Sequence, residues 1–208
     1  CYTGGFALYA ARAGAHAVGV DILPDAIDLA EVHARRNRLE AHWIVENAFD
    51  WLPQAAEQGA QTELLDLREL NLPMFVPGYG IEDYPAEHRA AIARLIAGYR
   101  RATAMVWASP AYHGTVSGVF KNAVDYVELL SDDHPAYLDG KAVGLIAIND
   151  SKTFGAMSNS MHELRAWLAP THVQLSKHDF DGDMRLSSER AIRRINRLVS
   201  ELLGFCLR

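Results

Sequence analysis

Two short apolar runs constrain this chain more than any other feature. Residues 103–109 read TAMVWAS and residues 142–148 read AVGLIAI. Neither alternates apolar with polar positions, so each reads as a strand buried on both faces. Strands of that kind belong to parallel sheets with helices laid over both sides. The surrounding text agrees. Helical patterns occupy residues 86–100, 119–130, 157–168 and 187–203, and further strands are expected at 62–67 (TELLDL) and 171–175 (THVQL). The first fifty residues follow the same grammar on their own. A helix is expected over 6–13, a strand over 17–22, an amphipathic helix over 24–39 and a strand over 42–49. Alternation of this kind gives an α/β fold.

Composition then removes several classes of function. Half of the 208 residues are apolar, enough for a packed core in one domain or two small ones. The formal charge is −6, which argues against a nucleic-acid partner held through its phosphate backbone. No run approaches the roughly 18 apolar residues of a membrane span, and no secretion signal is visible. Cys1 and Cys206 stand at opposite ends, so no disulfide scaffold is expected and the cytoplasm is the expected compartment. The chain opens on Cys rather than Met, which points to a piece of a longer reading frame. No grouping of His, Cys and carboxylates has metal-ligand spacing. The run HDFDGD at 178–183 lacks the twelve-residue loop ending in Glu of a calcium hand, so it reads as a polar turn.

The segments richest in special residues follow the two central strands. In open α/β sheets, ligands bind outside the carboxyl ends of the strands. The first such loop is Ser109, Pro110, Ala111, Tyr112, His113, Gly114 and Thr115. Proline fixes the backbone as it leaves the strand, and glycine permits a tight turn or close approach to a ligand. Between them lie a flat aromatic ring and an imidazole. A loop so composed can stack on a planar heterocycle while its free amides bond the edge; its alternative role is a stabilising turn with solvent-facing rings. The second loop holds Asn149, Asp150, Ser151, Lys152, Thr153, Phe154 and Gly155. Taken singly, Asp150 or Ser151 reads as a helix cap. Lys121 and Asp125 read as a surface pair one helical turn apart.

These residues carry a resemblance. From about residue 56 the chain resembles the NADPH-dependent FMN reductase family, on TELLDLRELNLPMF, SPAYHGTVSGVFKNAVDYVE and LDGKAVGLIAINDSKTFGAMSNSMHELRAWLAPTHVQLS. The resemblance implies a flavodoxin-like, doubly wound parallel sheet flanked by helices. It implies FMN as cofactor, with Ser109 and Pro110 to Thr115 along the isoalloxazine ring and Tyr112 packed near it. Asn149, Asp150, Ser151, Phe154 and Gly155 would flank the other side. NADPH (or NADH) would deliver hydride, and a quinone, azo compound or free flavin would accept the electrons. No side-chain acid or base is demanded, because the cofactor carries the chemistry. A homodimer is implied, with the helix around Lys121 to Asp125 in the contact; Phe120, Val124, Tyr126 and Val127 are open to either core or interface. One part of the pattern is missing. The family's first strand and its Gly-Ser-x-Arg-x-x-Ser phosphate loop have no counterpart before Thr62. Several charge-assisted contacts, each worth roughly 1.5–3 kcal/mol, would go with them.

Residues 1–52 resemble a different family, the class I SAM-dependent methyltransferases of large-subunit ribosomal RNA, on CYTGGFALYAARAGAHAVGVDI and HWIVENAFDWL. That resemblance implies a partial Rossmann-like segment. Gly4 and Gly5 would lie by the methionine part of SAM, Asp21 on the ribose hydroxyls and Asn47 by the adenine. The expected division is therefore a methyltransferase-like segment over 1–52 and a flavodoxin-like domain over 53–208. The leading function is an FMN-dependent NAD(P)H oxidoreductase. The alternatives are a SAM-dependent RNA methyltransferase fragment or a non-catalytic α/β chimera. If the two halves share one sheet, the strand at 42–47 is expected in the vacated first-strand position.

Overall fold

The computed structural model describes residues 36, 60–181 and 185–206, and residues 18–21 and 42–45 by their backbone. The chain divides into two units, Cys1–Asp50 with Phe180–Ser187, and Trp51–Asp179 with Ser188–Arg208. In the first unit, strands β1 (Val18–Asp21) and β2 (His42–Val45) pair in parallel, Val18 opposite His42 and Asp21 opposite Val45. This overturns the placement of 42–47 in the first-strand position of the larger sheet. β2 takes its ladder partner from β1, within a two-stranded sheet of its own.

The second unit is a flavodoxin-like α/β fold. Its described elements are α1 (Leu67–Leu70), a 3₁₀ turn (Ile81–Asp83), α2 (Ala86–Arg101), β3 (Ala104–Pro110), α3 (Gly118–Asp125) continued by a 3₁₀ turn (Tyr126–Leu130), β4 (Ala142–Ile148), α4 (Thr153–Glu163), β5 (Trp167–Leu175), a 3₁₀ turn (Lys177–Asp179) and α5 (Glu189–Cys206). The sheet runs β3-β4-β5, all parallel, with Ala104 opposite Ala142 and Pro110 opposite Ile148. The helices between successive strands are the crossovers that parallel pairing requires.

The central strand shows how sequence sets the layers. Every residue of β4 from Ala142 to Ala147 is buried. Side chains alternate along a strand, and Val143 and Leu145 join Trp107 in a core with Ile92, Leu95 and Ile96 of α2, Phe120 and Val124 of α3, and Met157 and Met161 of α4. On the opposite face, a side chain added at Gly144 would meet Leu198 of α5 at 2.7 Å. That glycine lets α5 lie close on the sheet. Phe120, Val124, Tyr126 and Val127 are all buried, so the open choice between core and interface resolves to core. Lys121 and Asp125 form the expected ion pair on the outer face of α3.

Three expected boundaries move. TELLDL is not a strand; residues 60–66 have no regular structure and α1 begins at Leu67. A strand needs a ladder partner, and none pairs with this segment among the described residues. Asp66 instead caps α1, its carboxylate accepting the Arg68 N–H at 3.0 Å. Helix α4 starts at residue 153 rather than 157 and stops at 163 rather than 168. Its end is a left-handed Arg165, φ 64°, with the Ala166 N–H donating back to the Met161 carbonyl. Glycine normally fills that position, so the stop carries no sequence mark. β5 consequently begins at Trp167. Among the described residues, no helix is long and apolar enough to cross a membrane.

Candidate functional site

The two special loops leave adjacent strands at the same end of the sheet. Pro110 and Ile148 are register partners, and the Ala111 N–H donates to the Ile148 carbonyl at 3.0 Å. The corners after β3 and β4 are therefore neighbours, as the strand order requires.

The β3 corner is a two-residue hairpin. The Tyr112 N–H donates to the Thr115 carbonyl at 2.9 Å, and the Thr115 N–H returns to the Tyr112 carbonyl at 3.1 Å. His113 and Gly114 between them have φ of 52° and 82°. Both values lie in the left-handed region that such a turn demands. Glycine adopts it freely and histidine against a steric cost. Among the described residues, the His113 and Gly114 amides have no hydrogen-bond partner, and a side chain added at Gly114 would meet nothing within 4 Å. Tyr112 is 59% exposed. The stem is held from below. Buried Ser109 accepts the Ser117 N–H on its Oγ at 3.0 Å and donates to the Pro110 carbonyl at 3.0 Å. Ser117 in turn caps α3, its Oγ accepting the Phe120 N–H at 3.2 Å. The Gly118 and Val119 amides have no partner among the described residues at the start of α3, a point of partial positive charge.

The β4 corner is built differently. Asn149 is also left-handed, φ 77°; its N–H donates to the Leu175 carbonyl at 2.8 Å and its carbonyl accepts from Gln174 Nε2 at 3.3 Å. Asp150 closes an Asx turn, its Oδ1 accepting the Lys152 N–H at 2.9 Å. Ser151, Lys152 and Gly155 are exposed. The Phe154 ring lies on His172 of β5, centroids 5.0 Å apart. Thr153, the first residue of α4, is fully buried, and its Oγ1 has no hydrogen-bond partner among the described residues.

Sequence reasoning passed over the residue that ties a third segment to this end of the fold. Buried Asn122 of α3 accepts the Phe75 N–H at 2.8 Å and donates to the Pro73 carbonyl at 2.8 Å. Tyr126 Oη also donates to Pro73, and Tyr84 Oη accepts the Val76 N–H. The loop thus held exposes Met74, Val76 and Tyr79. The available signal was an amide among the inward apolar positions of α3. Of the SAM-site residues, Asp21 ends β1; Gly4, Gly5 and Asn47 lie outside the described residues.

A family described as NADPH-dependent FMN reductase matches residues 33–178, including both corners. The chain belongs to this family. The match begins earlier than the resemblance near residue 56 and takes in β2. Among curated relatives, the chain is 29% identical over 157 residues to "NADPH-dependent FMN reductase ArsH" of Acidithiobacillus ferrooxidans, covering 72% of this chain and 61% of that one. It thus spans less than two thirds of that relative's length. A second relative, the ribosomal RNA large subunit methyltransferase I of Tolumonas auensis, is 32% identical over 104 residues but shares 48% of this chain and 23% of its own. Among solved structures, the flavoenzyme FerB of Paracoccus denitrificans superposes with a TM-score of 0.52 at 16% identity, over 90% of this chain and 95% of FerB. That likeness supports the flavodoxin-like fold.

The two corners offer groups whose chemistry would suit the ring end of an FMN. A flavin edge carries both donors and acceptors, and the free amides of His113 and Gly114 can serve its carbonyls. The unpartnered Thr153 hydroxyl is a buried polar atom awaiting a partner. At the phosphate end, residues 60–181 and 185–206 contain no Gly-Ser-x-Arg-x-x-Ser run.

Proposed function

We propose that this chain is the flavin-holding portion of an FMN-dependent NAD(P)H oxidoreductase acting on a small-molecule acceptor. The observation that carries the reading is the β3 corner, a pinned hairpin with two unbonded amides and an exposed tyrosine, in a member of the FMN reductase family. Bound FMN would supply two-electron chemistry between a nicotinamide and the acceptor. The protein's part is to bind, orient and shield. Residues 109–115 line one side of the ring: Tyr112 packs near it, and the His113 and Gly114 amides fix its polar edge. Asn149, Asp150, Ser151 and Gly155 border the other side. Phe154 acts from behind, through its contact with His172. Preorganisation follows from Ser109, whose two hydrogen bonds keep the hairpin stem from relaxing when the site is empty.

Quinones, azo compounds and free flavin are the acceptor classes this reading favours. A homodimer placing the outer face of α3 and the exposed Met74, Val76 and Tyr79 against a second copy is part of the same proposal, as is a cytoplasmic workplace. The methyltransferase reading has less support: the Tolumonas auensis relative is covered over only 23% of its length. The test is a visible spectrum of the purified 208-residue chain after mixing with FMN and desalting. Retained, perturbed flavin absorbance with NADPH-dependent bleaching is the expected result. A colourless protein after desalting overturns the proposal.

A further inference from the structure

Exposed large apolar side chains are few among the described residues: Met74, Val76, Tyr79, Tyr112, Val119 and Trp167. All except Trp167 stand on three segments, the loop 73–79, the β3 corner and the first turn of α3. One set of hydrogen bonds links these segments. Ser109 holds the base of the β3 corner to the Ser117 N–H, and Ser117 caps α3. Further along α3, the Asn122 carboxamide grips the loop on both sides of Met74. Its Oδ1 accepts the Phe75 N–H and its Nδ2 donates to the Pro73 carbonyl, each at 2.8 Å. Tyr84 Oη accepts the next amide, that of Val76, at 2.8 Å, and the Phe75 ring meets Tyr126 edge-on with centroids 5.4 Å apart. The main chain around Met74 is thus fixed, while its side chain is 75% exposed.

Helical spacing says where the loop lies. Asn122 and Tyr126 are four residues apart, so they share one face, and both donate to the Pro73 carbonyl, Tyr126 Oη at 3.1 Å. Val119 precedes Asn122 by three residues and continues the same stripe, about 4.5 Å back along the axis toward the β3 corner. It is exposed, whereas Asn122 and Tyr126 are buried. The stripe from the corner to the loop therefore reads Val119, Asn122, Tyr126 and carries no formal charge. Lys121 and Asp125 satisfy each other on another face. A rigidly held, mostly apolar surface with its polar groups already engaged is the composition of a small-molecule site.

We infer that Val119 and Met74 contact a planar, uncharged electron acceptor of the quinone class, and that Asn122 is the positioning residue that holds Met74 for this contact. This rests on the oxidoreductase reading above. An acceptor must approach the flavin beside the β3 corner, and Val119 is the exposed apolar residue of the helix that leaves that corner. Methionine adapts its shape to rings of different outline, which suits a set of acceptors rather than one. In the dimer of the same reading the loop 73–79 meets a second copy, so the acceptor surface lies where the subunit contact ends and the β3 corner begins. Asn122 touches neither acceptor nor flavin. It acts through the main chain of the loop.

The test titrates the 208-residue chain with 2,3-dimethyl-1,4-naphthoquinone, whose methylated ring carbons resist addition of thiols, and follows amide chemical shifts. This readout needs neither flavin nor turnover. Shifts should concentrate at Val119 and residues 73–76. Val119→Ser should weaken binding about fivefold, the scale of two lost methyl contacts. Asn122→Ala should weaken it about tenfold by freeing the loop, and Asn122→Asp, which keeps an acceptor for the Phe75 N–H, should recover part of that. With FMN bound, the ratio of kcat/KM for the quinone to that for ferricyanide should fall in step, the loss lying in KM. If Asn122→Ala does not fold, Val119→Ser and Met74→Ser decide. Quinone shifts confined to other segments overturn the inference, as does a Val119→Ser chain that binds the quinone like the parent; a second copy covering this face would give the first result. A chain that retains FMN but shows that result keeps the oxidoreductase reading and loses the acceptor surface. A chain that binds the quinone here yet retains no FMN does the reverse.

Discussion

The corners after β3 and β4 sit side by side on one sheet and are built on opposite plans. At the β3 corner the backbone closes on itself through two hydrogen bonds, and the buried Ser109 hydroxyl is satisfied twice. At the β4 corner the backbone is turned by a side chain, Asp150, and the buried Thr153 hydroxyl is satisfied by none of the described residues. At the first corner the buried side-chain hydroxyl is fully engaged and only backbone amides of the turn stay open. The second carries a buried hydroxyl with no partner among the described residues. A buried hydroxyl without a partner costs stability, and one with a partner contributes it. The two corners should therefore respond to mutation with opposite signs.

The largest expected effect is at Ser109. Ser109→Ala leaves the Ser117 N–H buried without its acceptor, and should lower stability by roughly 1–3 kcal/mol in urea titration. FMN retention should weaken with it. A change within error would mean that the stem does not depend on this hydroxyl. Next is Gly114→Ala. Space is not limiting there, since nothing lies within 4 Å of the new methyl. The cost is that of a left-handed non-glycine residue, roughly 1–2 kcal/mol. Thr153→Val should run the other way. Removing the unpartnered oxygen at constant shape should raise the stability of the FMN-free chain by about 1 kcal/mol, while FMN binding falls. Destabilisation by Thr153→Val would show that the hydroxyl does have a partner, and the contrast between the corners would collapse.

This contrast also explains what the sequence could and could not reveal. The strands were legible because burial on both faces leaves no polar position: AVGLIAI is β4 to the residue. The β3 loop was legible because Pro110 and Gly114 mark the turn chemistry directly. Elements that depend on distant partners were not. TELLDL has a strand's composition, but strand formation needs a neighbour, and the segment is a loop leading into an Asp66-capped helix. The stop of α4 was hidden because Arg165 does a glycine's task. Asn122 was hidden because its role lies in a loop more than forty residues earlier in the chain. Of the candidate site, both loops were named, but Thr153 was given no role in the second. Its significance lies in the hydrogen-bond partner it lacks among the described residues, and only three-dimensional neighbours reveal that.

The smallest effect tests whether the β4 corner is tied to β5 through aromatic contact. His172 carries the ring on which Phe154 rests. Burial lowers its pKa from the usual value, the Arg194 charge lowers it further, and Glu201 pulls in the opposite direction. With the folded value depressed, the unfolded chain takes up the proton first as pH falls. The contribution to stability is complete above about pH 6.5 and is lost as pH drops from there toward the folded value. The depressed carboxylates of Asp66, Asp179 and Glu201 act lower, as pH falls through roughly 4. The two windows are therefore separable. His172→Phe keeps a ring against Phe154 and removes the proton site. Its melting temperature should fall less than that of the parent between pH 7.5 and 5, with the same decline below pH 4. An identical slope in both proteins would place the imidazole in free contact with solvent, and would detach Phe154 from the role of supporting the second corner.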